Sequence, residues 1–172
     1  MKTTLVLSAA FSLAFSSFAL AANQVSISQV GNKQLFNAIS IQQVGDLNSV
    51  NGKISRGNNF LTVSQQGTGN LEELMINGNA HNVNHTQTGT GNVIEANVYD
   101  TRNIPTATQD GSLNQLSYTI TGSDNFTNTY QQGLSNSISL NISGNNNFAS
   151  IRQTGNNNTV VASIGNAPVQ AQ

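Results

Sequence analysis

Residues 131–158 read QQGLSNSISLNISGNNNFASIRQTGNNN. Gln131-x-Gly133-x-x-Asn136 returns as Gln153-x-Gly155-x-x-Asn158, twenty-two residues later. Between the two copies Asn136, Ile138, Leu140 and Ile142 share one face, and Ser137, Ser139, Asn141 and Ser143 share the other. That period of two is the pattern of a half-buried strand. Gly144 ends the strand, because a tight turn often needs a positive φ that Gly adopts cheaply. Gly-x-x-Asn then makes the connection, with an Asn whose side chain can bond nearby backbone.

The pattern extends along nearly the whole chain. Asn37, Asn48, Asn59, Asn70, Asn92, Asn103, Asn114, Asn125, Asn136, Asn147 and Asn158 fall on one eleven-residue grid, and only His81 breaks the series. Eight places after a grid position comes Gly in most units, among them Gly45, Gly67, Gly89, Gly111, Gly133 and Gly155. Six places after it the residue alternates. Gln43, Gln65, Gln87, Gln109, Gln131 and Gln153 take turns with Ile54, Ile76, Val98, Ile120, Ile142 and Ile164. The true repeat is therefore twenty-two residues in two similar halves, the signature of a solenoid. An earlier unit, Asn23 to Gly31, stands off the grid by three residues.

One coil reads as strand, turn, strand, turn. The expected fold is all-β: a parallel two-strands-per-coil β-solenoid of cross-β type, with about six coils and a height of roughly 30 Å. Equivalent side chains then stack into ladders. Gln over Gln is favourable because each amide donates and accepts. Folding about the turn places the Gln ladder opposite Val50, Ile94, Leu116, Ile138 and Val160, and the Ile ladder opposite Ile39, Leu61, Val83 and Ala149. The core is expected to have an amide-lined end and a dry end.

Composition bounds the rest. The chain has 172 residues, 8% charged, with a net charge of -1 and no Cys. There is no basic patch for nucleic acid and no disulfide framework. Lys2, the apolar stretch Leu5 to Leu20 and Ala19-Leu20-Ala21 read as a secretory signal over residues 1–21, with cleavage before Ala22 or Asn23. The solenoid is expected over 22–166 and a short tail over 167–172. No other apolar run could span a bilayer, so the chain is read as exported.

The six matches to Gln-x-Gly-x-x-Asn, beginning at Gln43, Gln65, Gln87, Gln109, Gln131 and Gln153 and ending at Asn48, Asn70, Asn92, Asn114, Asn136 and Asn158, resemble the curlin repeat. The resemblance covers Asn23 to about Asn166. It implies a secreted subunit of curli, the extracellular functional amyloid fibres of bacterial surfaces, which serve adhesion and biofilm matrix. It also implies self-polymerisation, other curlin subunits as partners, and export through a dedicated outer-membrane pore with accessory proteins. The second Gln of the family's unit is here Ile54, Ile76, Val98, Ile120, Ile142 or Ile164. Its Ala place is variable: Val50, Glu72, Ile94, Leu116, Ile138 and Val160. These departures leave open a major fibre subunit or a minor, nucleating one.

The end units, NQVSISQVG and NTVVASIGN, are regular and lack a cap once the signal is gone, and open strand edges template further pairing. Head-to-tail stacking would continue every ladder into an open filament. Asp100, Pro105, Glu72 and Gly52 resist the pattern, and read either as gatekeepers that slow assembly or as drift. Glu72 is expected to find Gln65 and Gln87 as hydrogen-bond partners. His81 and His85 share a strand face without a third clustered ligand, so a stacked polar core is expected there, with no metal or other cofactor. The scattered carboxylates make no catalytic cleft, and the chain is read as not an enzyme. Phe60, Phe126 and Phe148 form a partial outward stripe. A monomeric secreted β-solenoid adhesin is the alternative, but the outward place five runs from Gln42 to Ser163 without a regular ladder.

Overall fold

The computed structural model describes residues 11–16, 22–30 and 36–165. The expected signal is described only at Phe11–Ser16, and the expected tail lies outside the described residues. Among the described residues fourteen strands follow one another without a helix: β1 Phe11–Ser16, β2 Gln24–Val30, β3 Ala38–Asp46, β4 Ser49–Ser55, β5 Phe60–Thr68, β6 Leu71–Asn79 and β7 Asn82–Thr90. The second half is β8 Val93–Thr101, β9 Ile104–Ser112, β10 Gln115–Thr121, β11 Phe126–Leu134, β12 Ser137–Ser143, β13 Phe148–Asn156 and β14 Thr159–Gly165. Odd-numbered strands form one sheet in chain order and even-numbered strands the other. Every pairing is parallel. This is the expected all-β solenoid of about six coils, and from β3 onward each residue pairs with the one twenty-two places on.

The alternation along each strand decides what enters the core. In β12, Ile138, Leu140 and Ile142 are buried while Ser139, Asn141 and Ser143 are exposed. The even sheet contributes the dry columns, with Ile54, Ile76, Val98, Ile120 and Ile142 essentially without solvent contact. Burying each such side chain is worth about 1.5–3 kcal/mol. The odd sheet contributes Ile39, Leu61, Val83 and Ala149, and Ile41, Val63 and Ala107 beside them.

The turns use two left-handed residues. One is Gly at the expected place, for example Gly111 with φ 126°. A Cβ there would overlap the carbonyl oxygen of Gly133 in the next coil, so Gly is required by close approach as well as by φ. The other lies just before the grid residue and has no fixed residue type: Leu47, Ala80, Arg102, Leu113, Asp124 and Ser135 all sit between φ 54° and 60°. Asp100 stands where most coils have Gly. It adopts φ 70°, and its Oδ2 accepts from the Gly122 N–H at 2.7 Å. Pro105 is buried in β9, and the β7–β9 register begins one residue beyond it, at Asn84–Thr106, as a missing N–H would dictate.

Candidate functional site: amide ladders and open edges

Three amide columns run along the axis: one of Gln, and one of Asn at each corner, the second of these interrupted by His81. Gln43 donates through Nε2 to Gln65 Oε1 at 2.8 Å, Gln65 to Gln87 at 2.7 Å, and Gln87 to Gln109 at 2.9 Å. Gln109 donates to Gln131 at 2.9 Å and Gln131 to Gln153 at 3.0 Å. Each Nε2 spends its second hydrogen on the carbonyl at the start of the preceding even strand, as Gln131 does on Gln115 at 2.9 Å. That places the Gln column beside Leu116 and its equivalents, the amide-lined end of the core. The column is polar in direction: every bond points from the N-terminal coil toward the C-terminal one.

The first Asn column was legible in sequence only as turn residues. Asn48, Asn70, Asn92, Asn114 and Asn136 are fully buried. Asn92 Nδ2 donates to Asn70 Oδ1 at 3.1 Å, to the Thr88 carbonyl and to the Gly111 carbonyl, and the Asn92 N–H donates to the same Asn70 Oδ1. Asn158 closes the column on Asn136. The side chain thus satisfies turn carbonyls of its own coil and of the next, a stronger role than local turn capping. The constancy of Asn at these places within the chain was the signal. The glycines Gly45, Gly67, Gly89, Gly111, Gly133 and Gly155 supply the left-handed turn residues of the same corner.

The two histidines occupy different places. His81 takes an Asn position in the other corner, where Asn59 and Asn103 flank it. Its Nδ1 accepts the Asn103 N–H at 3.1 Å, as an Asn oxygen would, while Nε2 has no partner. Burial holds its imidazole below the ordinary 6.5, opposed by the nearby backbone of Asp100 and Asn103 and by the Asp100 charge. His85 lies in the core itself. Its Nδ1 is 2.8 Å from Glu72 Oε1 and its Nε2 is 2.7 Å from the Tyr118 hydroxyl. Glu72 therefore pairs with His85 and not with the expected Gln65 and Gln87, whose amides are already engaged in the ladder. Burial, and secondarily the Glu72 charge, pushes the Tyr118 phenol well above its ordinary value, so its O–H stays protonated. All three side chains are sealed from solvent, which leaves the trio no access to a substrate. Among the described residues no group of three ligating side chains could hold a metal, and no helix is long and apolar enough to cross a membrane.

On the outward face Phe126 and Phe148 stack at 5.4 Å and 4°, while Phe60 is separated from them by the Asn82 and Ile104 places. Arg102 grips Asp124 of the next coil at 2.6 and 2.7 Å. That fully exposed pair raises the Arg102 pKa and lowers that of Asp124.

The two ends of the Gln column differ. Gln43 Oε1 is buried and has no hydrogen-bond partner. At the far end Gln153 Nε2 bonds the Ser137 carbonyl at 3.0 Å and has a further hydrogen to give. Among the described residues the chain is a parallel two-sheet solenoid with amide columns along its axis, a repeat architecture. The family model of the curlin associated repeat matches residues 122–155, which hold β11, β12 and nearly all of β13. That match bears out the resemblance to the curlin repeat over those residues. No curated protein and no solved structure matches the chain.

Proposed function

We propose that this chain is a secreted curli-type subunit that polymerises head to tail into extracellular cross-β fibres used for adhesion and biofilm matrix. The observation that carries the reading is the mismatch at the two ends of the Gln column: an acceptor without a partner at Gln43, which loss of residues 1–21 leaves on the open β3 edge, and a free amide hydrogen at Gln153. Setting β13 of one copy beside β3 of the next, in the register used throughout the sheet, puts Gln153 over Gln43, Gly155 over Gly45 and Phe148 over Ala38. The same step gives that acceptor a donor and extends the column. The interface is heterologous and does not close, so it makes filaments. Export rests on the signal-like N-terminus, and other curlin subunits and export proteins enter as partners through the resemblance to the curlin repeat.

The test is to purify the chain from residue 22, dilute it from denaturant and follow thioflavin fluorescence, with fibre diffraction at the endpoint. Fibres with reflections near 4.7 and 10 Å are expected. Growth after a lag, abolished by seeding, marks an elongating subunit, and immediate growth marks a nucleating one. A chain that stays monomeric, soluble and β-rich overturns the reading in favour of a solitary adhesin.

A further inference from the structure

The strand count raises a problem for simple stacking. Among the described residues each sheet has seven strands, with β1 on the edge of β3 and β2 on the edge of β4. Cleavage after Ala21 removes β1 and leaves six strands in the odd sheet against seven in the even one. A stack that repeats by translation must add the same number of layers, each about 4.8 Å, to both sheets. When β13 of one copy joins β3 of the next, β14 of the first and β2 of the second therefore claim the same place, the edge of β4.

The fit of β2 on β4 is good at one place and poor at another. Ile27 fills the hollow over Gly52, where a Cβ would come within 3.0 Å of Ile27 Cδ1. Gln29, however, lies opposite Ile54 in a column that is otherwise Ile or Val through to Ile164. The offset of β2 to β4 is twenty-five residues, against twenty-two elsewhere. Its sequence, Gln29-Val30-Gly31, is that of the odd sheet, as in Gln43-Val44-Gly45. β14 in its place would set Ile164 on Ile54 and Val160 on Val50.

Resting on the fibre reading, we propose that β2 is a displaceable cap. It covers the β4 edge of the free subunit and yields that edge to β14 of an incoming copy as β13 docks on β3. Signal cleavage would open one edge and strand exchange the other, so a soluble subunit is half-capped until a partner arrives.

The test uses the chain from residue 22, which has no Cys. Ser26→Cys with Asn51→Cys places two thiols on register partners that both face solvent, at a spacing a disulfide can bridge. Oxidised, this variant should add to wild-type seeds at least tenfold more slowly than when reduced, with reductant restoring the rate. Gln29→Ile, which completes the apolar column and tightens the cap, should slow elongation several-fold without any thiol. Equal oxidised and reduced rates, or fibres whose mass per length corresponds to one chain per seven layers instead of six, would overturn the proposal. If neither wild type nor reduced variant forms fibres, the fibre reading itself falls, which is a separate result.

Discussion

The Gln column and the Glu72–His85–Tyr118 trio are both buried polar networks in the same thin core, yet they are built on opposite plans. In the column six identical neutral groups each give to the next and take from the last. The arrangement leaves one acceptor over at one end and one donor at the other, so it can be prolonged by another copy. In the trio three different groups from β6, β7 and β10 close on one another, and Glu72 Oε2 is left without a partner. Repetition lets every coil satisfy its amides the same way. A single irregular cluster must be satisfied locally, and a buried ionisable pair rarely recovers its full desolvation cost.

The sharpest way to break this comparison is His85→Ala. It strands Glu72 and the Tyr118 hydroxyl in the core, and a loss of roughly 3–5 kcal/mol is expected, read from the denaturant midpoint of the freshly diluted, still soluble chain. Replacing all three groups by the residues of neighbouring coils, Glu72→Ile, His85→Val and Tyr118→Leu, should recover most of that loss. A triple variant as unstable as His85→Ala would mean that the trio supports the fold and is not merely tolerated by it.

Gln109→Leu tests the column in the same assay. It removes the acceptor of Gln87 and the donor to Gln131, and the expected cost is about 2–3 kcal/mol. Gln153→Leu, at the open end, should cost the free subunit less but slow its addition to seeds. Equal effects on stability at both positions would argue that the column is not continued across subunits.

The same contrast explains what could be read from sequence. Gln43 to Gln153, Ile54 to Ile164 and the turn glycines were legible because a twenty-two-residue period gives each the same surroundings six times over. The trio was not, because Glu72, His85 and Tyr118 are 13 and 33 residues apart and only coil stacking joins them. Glu72 was read against the nearest amides, which the ladder had already engaged. The second left-handed turn residue was also invisible. The turn takes that backbone between Gly45 and Asn48, Gly78 and His81, or Asp100 and Asn103 alike, so Leu47, Ala80 or Arg102 can occupy it without a compositional mark. β2 reads as a regular first unit, and nothing in its own residues says that it lies in the even sheet.

His81 gives a smaller, pH-dependent effect. Burial lowers its pKa, so the unfolded chain takes up the proton first as pH falls below about 6.5. The position therefore contributes no penalty above that value, and stability declines as pH drops through the folded pKa. His81→Asn restores the Asn corner and removes the titrating group. The variant should gain more stability relative to wild type at pH 5 than at pH 8. The same gain at both pH values would assign the effect to the orphaned Nε2 and not to protonation.

The smallest expected effect concerns the turn position that carries no residue preference. Leu113 adopts φ 56° and is 59% exposed, so a side chain with little packing to lose sits in a conformation that costs an ordinary L-residue about 1 kcal/mol. Asn58, Asn146 and Asn157 hold the equivalent place in other coils at φ 57–59°, and Asn tolerates that region. Leu113→Asn should therefore stabilise the chain by roughly 0.5–1 kcal/mol, seen as a higher denaturant midpoint with an unchanged slope. One contact opposes it: Leu113 Cδ2 lies 3.0 Å from where a Cβ on Gly91 would sit, so the leucine shields that bare glycine. A lower midpoint for Leu113→Asn would mean that this shielding outweighs the backbone strain, and that even the irregular turn residues are selected by the coil beside them.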